Sequence, residues 1–366
     1  MNLEPMHITF ATTWNDECGI AVYSRSLVAE LRKQAEVEIV SLDEPDRGGS
    51  PSLLAAKLNQ GDVAHIQHQY PFFGGMRVYR NTFRRTIVKL NVPLVVTLHE
   101  LDLGSTRSWL RCVYKRWFNR RLFCGDEIDR LIVHTAEYRD ELRDLGVVPE
   151  DIRVIPEGVP RIEQPAISPE DAKSELGLAG KKVVTIFGFV VRRKGYDVAL
   201  AALRCLPDDV SLLIAGGRHP DDRTGFHERL VEQIRAEGLS DRVVITGYLP
   251  DDHVPLVMTA SDVVVAPSAE ISNSSSLMRV CAYGKPIVAS DLPATREINE
   301  RKECLILSRV GDPADLAEKT RELLENEWKR ETAVAAVRSY AQTYSVEWAA
   351  AQTMAVYKEL SAQRRT

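Results

Sequence analysis

Three stretches hold the residues whose types and spacing could do chemistry. In Phe187-Gly188-Phe189-Val190-Val191-Arg192-Arg193-Lys194-Gly195 an apolar strand runs into three consecutive cations and a glycine that opens a helix. Cations over the positive end of a helix are repelled unless an anion offsets them, so Arg192, Arg193 and Lys194 read as an anion site. The second stretch, Ser261 to Glu297, runs from the apolar Val263 to Ala266 through Pro267 to Glu270, Ser272, Asn273, Ser274, Ser275 and Ser276. A helix predicted from about Leu277 to Tyr283 follows, and amides exposed at its start would also face an anion; the competing reading is an ordinary crossover helix with a polar cap. In the third stretch, His99-Glu100 directly follows the predicted strand Leu94 to Leu98. That is the carboxyl end at which open parallel sheets bind ligands, although a lone histidine is also a common structural residue.

Two glycine turns are weaker signals of the same kind. Gly19 closes the loop after a first predicted strand, His7 to Ala11, where a backbone could approach a phosphate or sugar, or where a turn simply needs a glycine. Gly216-Gly217-Arg218-His219 follows the predicted strand Ser211 to Ala215.

The elements that would position these residues alternate. Short apolar runs at 37–42, 62–67, 94–98 and 130–133 read as buried parallel strands, with a helix predicted over 20–34. After Val154-Ile155-Pro156 the pattern breaks, and a proline-bearing segment to Pro169 reads as a linker. A second series of strands and helices begins at Lys182, with Asp312 and Pro313 as cap and first residue of a helix to about Glu325, and a last helix over 346–362. The fold class expected is α/β, two doubly wound domains, as a chain of 366 residues exceeds what one core usually serves.

Composition excludes several function classes. The net charge of −5 argues against general nucleic-acid binding, and six scattered cysteines with no C-x-x-C pair indicate neither a zinc site nor a disulfide framework. No run approaches a membrane span or signal peptide, so the expectation is a cytoplasmic protein. The charge is uneven, however: between Met76 and Gly125 eleven Lys and Arg face only Glu100 and Asp102, a local +9. Arg77 to Leu90 and Arg107 to Leu122 read as helices with mixed basic and aromatic faces, which suit either the protein core or an anionic membrane surface.

Taken together, the motifs resemble the family 4 retaining glycosyltransferases of GT-B fold. The matching pieces are Cys18-Gly19-Ile20-Ala21 with Tyr23-Ser24, Ile66-Gln67-His68 with Phe73-Gly74-Gly75, Thr97-Leu98-His99, and Ile155-Pro156 with Gly158-Val159. In the second half they are Phe187-Gly188-Phe189 with Lys194-Gly195, Ala215-Gly216-Gly217, Thr246-Gly247-Tyr248, and Ala282-Tyr283-Gly284-Lys285-Pro286-Ile287-Val288 with Glu297.

The resemblance implies two Rossmann-like domains with parallel sheets facing across a cleft: 1–165 on the acceptor side, 166–345 holding a nucleotide sugar, and a helix 346–366 crossing back to the first domain. It implies transfer of a hexose from a GDP- or UDP-sugar to a sugar or lipid-linked acceptor in glycan, glycolipid or polysaccharide synthesis, with no metal or other cofactor. Lys194, assisted by Arg192 or Arg193, would neutralise the donor diphosphate, with Gly19 opposite and Phe189 and Gly217 lining the donor site. His99 would contact the transferred sugar. Glu270 and the amides of Asn273, Ser274, Ser275, Ser276 and Leu277 would hold its hydroxyls and the phosphate. Because lipid-linked acceptors are common in the family, the basic residues between 77 and 122 would place the protein at the inner membrane face.

Three departures qualify the resemblance. Phe189 stands where many members carry Arg, which moves the cationic work to Arg192, Arg193 and Lys194. Arg279 replaces the glutamate that usually binds ribose hydroxyls and cannot accept those hydrogen bonds. The family's other glutamate aligns with Ile271 unless the serine loop is one residue longer, in which case Glu270 serves. Arg279 and Glu270 together leave open a catalytically silent GT-B binding or scaffold protein.

Overall fold

The computed structural model describes residues 5–15, 18–43, 49–104, 108–163, 166–219, 222–270 and 275–363. The chain divides into two compact units, Met1–Gly158 joined by Tyr344–Thr366, and Val159–Thr343. The division thus falls at Gly158 rather than at residue 165, and the C-terminal helix Val346–Gln363 belongs to the first unit.

The first unit is built on a parallel sheet of β1 (His7–Thr12), β2 (Glu36–Ser41), β3 (Val63–His68), β4 (Leu94–Leu98), β5 (Arg130–Val133) and β6 (Ile152–Val154), in the order β2-β1-β3-β4-β5-β6. In the central β4 and β5 both faces are buried, which is why these strands are nearly continuous apolar runs. Leu94, Val96 and Leu98 point into one cluster with Ile66, Phe83 and Leu122. Val95 points the other way, into a cluster with Phe10, Leu27, Ile132, Met354 and Tyr357. That second face is covered by the helices Gly19–Leu31 and Val346–Gln363.

The second unit repeats the plan with β7 (Lys182–Phe187), β8 (Val210–Ala215), β9 (Val243–Ile245), β10 (Val263–Ala266), β11 (Ile287–Ser290) and β12 (Ile306–Ser308). Its order is β12-β11-β10-β7-β8-β9, every pairing parallel. The chain winds outward in opposite directions from the neighbours β7 and β10. The crevice beyond their carboxyl ends is therefore the position at which doubly wound sheets take ligands.

The helix expected over Arg77 to Leu90 is not formed; only Phe83–Ile87 is helical there. Asn81 explains the break, because its side chain donates to Gly75 O (2.9 Å) and accepts from Phe83 N (3.1 Å), an arrangement that competes with helix upstream of residue 82. The second expected helix is present as Trp109–Phe123.

Candidate functional site

In the second unit, β7 ends at Phe187 and the backbone turns through Gly188 with φ 109°. A side chain there would be strained by that φ and would displace the lysine: a Cβ would lie 2.1 Å from Lys194 Nζ and 2.9 Å from Ser276 Oγ. The Lys194 ammonium folds back over this glycine and donates to Phe187 O (2.9 Å) and Ser276 Oγ (3.1 Å). Its position is set by the single turn Arg192–Lys194 and by Gly195 (φ 73°), where a Cβ would sit 1.9 Å from Pro267 O. Ala269 N then donates to Arg193 O (2.8 Å), so the segments that follow β7 and β10 are tied together. The end of β8 closes in from the other side. Gly188 N donates to Ala215 O (2.9 Å), Val190 N donates to Gly217 O (2.8 Å), and Tyr196 donates its hydroxyl proton to Gly188 O (2.6 Å).

Burial first, and the Arg193 charge second, push Lys194 down to about 7. Among the described residues no carboxylate pairs with it. Arg192 and Arg193 are exposed beside it, and Glu270 is exposed at the end of the described segment after β10. Ser275, Ser276 and Leu277 open the helix Ser275–Ala282, with Ser276 facing Lys194; Asn273 and Ser274 lie outside the described residues. Phe189 packs edge-on against His219 (4.9 Å between ring centres) and stacks with Tyr248 (6.2 Å). Gly217 is buried so close to the next strand end that a Cβ would lie 2.4 Å from Tyr248 N.

Arg279 reaches the same strand ends but not as an open cation. Its guanidinium lies 5.5 Å over the Phe187 ring and donates to Asp251 (2.8 Å). The arrangement places a charge-neutral pair, not a carboxylate alone, beside the end of β7. Asp251, His219 and Tyr248 were not singled out from sequence as site residues, although His219 closed the glycine-bearing Gly216-Gly217-Arg218-His219 and Tyr248 the family motif Thr246-Gly247-Tyr248.

The first unit holds the other two residues. Gly19 is exposed as the first residue of its helix, whose cap Cys18 accepts from Ala21 N. His99 is half-buried just past β4, with the rings of Tyr23 (5.6 Å) and His134 (5.1 Å) against it, and its Nε2–H donates to Gln67 Oε1 (2.6 Å). Burial, then the neighbouring imidazoles of His134, His65 and His68, hold His99 well below its ordinary pKa, so it is neutral at physiological pH. Gln67 was quoted only as part of a motif; its contact with His99 follows from the β3–β4 register. Among the described residues, no three His, Cys, Asp or Glu side chains gather as a metal site.

This geometry sits in a chain whose residues 168–340 match the family profile Glycosyl transferases group 1 and whose residues 49–161 match Glycosyltransferase Family 4. The phosphatidyl-myo-inositol mannosyltransferase of Mycobacterium leprae is 32% identical over 275 residues, which cover 74% of this chain and 68% of that protein. The chain belongs to the group 1 glycosyltransferases. Another such transferase with which it aligns is the MMP alpha-(1->4)-mannosyltransferase of Mycolicibacterium hassiacum, 28% identical over 295 residues, 76% of this chain and 68% of that one. The GT-B fold of this group 1 glycosyltransferase is shared with the solved Anabaena Alr3699/HepE in complex with UDP-glucose. The TM-score is 0.78 at 19% identity, covering 97% of this chain and 100% of that one. The sucrose-phosphate synthase of Thermosynechococcus elongatus superposes with a TM-score of 0.77 at 19% identity, over 98% and 100% of the two chains.

Proposed function

We propose that this glycosyltransferase moves a hexose from a GDP- or UDP-sugar to a sugar or lipid-linked acceptor, with retention at the anomeric carbon and without a metal or other cofactor. The observation that carries the reading is Lys194: a half-buried amine, clasped by one carbonyl and one hydroxyl, with no carboxylate partner among the described residues, at the switch point of a doubly wound sheet. Such a group is suited to an incoming polyanion. Relatives that transfer mannose and glucose, and a fold neighbour holding UDP-glucose, support a nucleotide-sugar donor.

In the reaction proposed, the bond from the anomeric carbon to the diphosphate breaks and a bond to the acceptor oxygen forms on the same face. The acceptor proton passes to the departing phosphate. The work left to the protein is electrostatic: Lys194, Arg192, Arg193 and the amides at Ser275 to Leu277 stabilise charge as it develops on the diphosphate. Glu270 holds sugar hydroxyls, and Phe189 and Gly217 shape the donor site; of the first unit's residues, Gly19 offers a backbone without a side chain and neutral His99 accepts from a hydroxyl of the transferred sugar. Arg279, paired with Asp251, fixes the wall beside Phe187 in place of the usual ribose-binding acid.

A thermal-shift panel of UDP, GDP and ADP sugars tests the reading. A donor at 100 times its dissociation constant stabilises by about 2.7 kcal/mol, which is roughly 2–4 °C in Tm per kcal/mol for a domain of this size. One base should stand out and its sugar should be turned over. Binding with no turnover of any acceptor would identify a silent binding protein instead.

The surface of the first unit supports an acceptor presented at an anionic membrane, through residues 77–122. Phe118, Leu122 and Phe123 of the helix Trp109–Phe123 enter the core, whereas Trp109 (73% exposed), Leu110 (71%) and Trp117 (49%) do not. Exposed Arg111, Arg116, Arg120 and Arg121 alternate with them. No helix among the described residues is long and apolar enough to cross a membrane, so contact would be peripheral. Basic residues near an anionic leaflet contribute about 1 kcal/mol each. The protein should float with vesicles containing anionic lipid at low salt, less so at high ionic strength. Replacing Arg116, Arg120 and Arg121 by Ser should reduce flotation; absence of binding at every salt concentration would point to a freely diffusing acceptor.

A further inference from the structure

Polar side chains run in an unbroken hydrogen-bonded line across the face of the first sheet that the C-terminal helix covers. The β3–β4 register sets Gln67 opposite Thr97, and His65 and Gln67 are both fully buried at 0% exposure. Starting at the strand end, His99 Nε2 lies 2.6 Å from Gln67 Oε1. Gln67 Nε2 lies 3.2 Å from His65 Nε2, and Thr97 Oγ1 lies 2.8 Å from the same nitrogen. His65 Nδ1 bonds the hydroxyl of Tyr357, which reaches in from the helix Val346–Gln363.

Donor and acceptor chemistry orients every link. A carboxamide oxygen only accepts, so the His99 nitrogen facing it carries the hydrogen. A carboxamide nitrogen only donates, so His65 Nε2 carries none and takes a second hydrogen bond from Thr97. His65 Nδ1 is then the protonated nitrogen and donates to Tyr357. Both rings are neutral, as burial pushes His65 down to about 3 and His99 is held low as well, so each has one tautomer to choose.

We infer that Gln67 is a positioning residue that holds His99 as the Nε2–H tautomer and presents its Nδ1 lone pair to a substrate hydroxyl, and that Tyr357 on the C-terminal helix sets this choice through His65. A sugar hydroxyl can donate to that lone pair while the ring itself stays fixed by Gln67. The role rests on the reading of His99 as a contact to the transferred sugar, but the tautomer does not. Removing the Tyr357 hydroxyl would strand the His65 Nδ1–H in the core. The relieving change is for His65 to shift to Nε2–H, for the Gln67 amide to turn over, and for His99 to become Nδ1–H. A substitution on the last helix would thus invert a histidine at the end of β4.

The test is ring-nitrogen NMR of the full chain labelled with 15N-histidine, without ligand, with His99 assigned by the loss of its signals in His99→Asn. Wild-type His99 should show a pyrrole-like Nε2 and a pyridine-like Nδ1. Tyr357→Phe should exchange the two, and Gln67→Leu should leave a mixture. Kinetically, Gln67→Leu should lower kcat on the order of 10-fold with little change in the donor KM, since a misplaced contact costs rate more than binding. Gln67→Glu keeps an acceptor for His99 Nε2–H and should restore much of kcat at alkaline pH. Its carboxylate favours the imidazolium, so that activity should be lost again as pH falls through a raised His99 pKa, a limb absent from wild type. A wild-type His99 found as Nδ1–H, or one unmoved by either substitution, overturns the inference. The expected tautomers with an unchanged kcat in Gln67→Leu would uphold the positioning and remove His99 from the sugar site.

Discussion

Lys194→Met should lower kcat/KM for transfer about 100-fold, the loss of roughly 3 kcal/mol typical when one preorganised charge contact to a developing anion is removed. The same substitution should stabilise the ligand-free protein. The native ammonium is pushed down to about 7, below the ordinary lysine value of 10.5, so between those pH values the unfolded chain binds a proton that the native protein does not. Wild-type stability therefore rises with pH across that window, and the cost of the buried charge is full at pH 7 and below. Thermal melts should show the Met variant ahead of wild type most clearly at pH 6.5 and by less at pH 9. Binding of UDP or GDP by wild type should take up a proton above pH 7, seen as a dependence of calorimetric heat on buffer ionisation, and the variant should show none. Undiminished transfer by Lys194→Met would remove the lysine from the reaction.

Gly216→Ala should abolish donor binding without removing any polar side chain of the site. A Cβ on Gly216 would lie 2.0 Å from Gly188 O and 2.7 Å from Gly188 C, backbone atoms that cannot swing aside as a side chain tip can. The end of β7 would have to separate from β8, moving the carbonyl that accepts from Tyr196 and the turn over which Lys194 is folded. Overpacking of this kind costs about 1–3 kcal/mol. Gly238→Ala is the control: its φ of +68° is strained for alanine, but no atom lies within 4 Å. It should lose about 1–2 kcal/mol from the left-handed conformation and retain donor binding by titration calorimetry. Donor binding preserved in Gly216→Ala would show that the packed strand ends do not form the site.

The strand framework was legible because burial on both faces leaves a plain signature. Leu94–Leu98, Arg130–Val133, Lys182–Phe187 and Val263–Ala266 stand where apolar runs are stopped by His99, His134, Gly188 and Pro267. The cation run at 192–194 was legible for a related reason, since its repulsion from a helix start is local. What sequence could not reveal depends on distance along the chain. Arg279 meets Asp251 from 28 residues away, and His65 meets Tyr357 across a separation of 292. The misread helix over 77–90 failed on one side chain, Asn81, whose bonds to Gly75 and Phe83 outweigh a basic and apolar periodicity. Arg107 to Leu122 was read as a helix with a mixed basic and aromatic face, and the structure divides its apolar residues, with Phe118 and Leu122 in the core and Leu110 and Trp117 outside.

Diffraction from crystals grown with UDP or GDP would locate the anionic part of the donor, proposed to sit over Gly188 against Lys194. A diphosphate oxygen should lie within hydrogen-bonding distance of Lys194 Nζ, with a second directed at the amides that open the helix Ser275–Ala282. A nucleoside diphosphate bound with its phosphates away from Lys194 would contradict that placement.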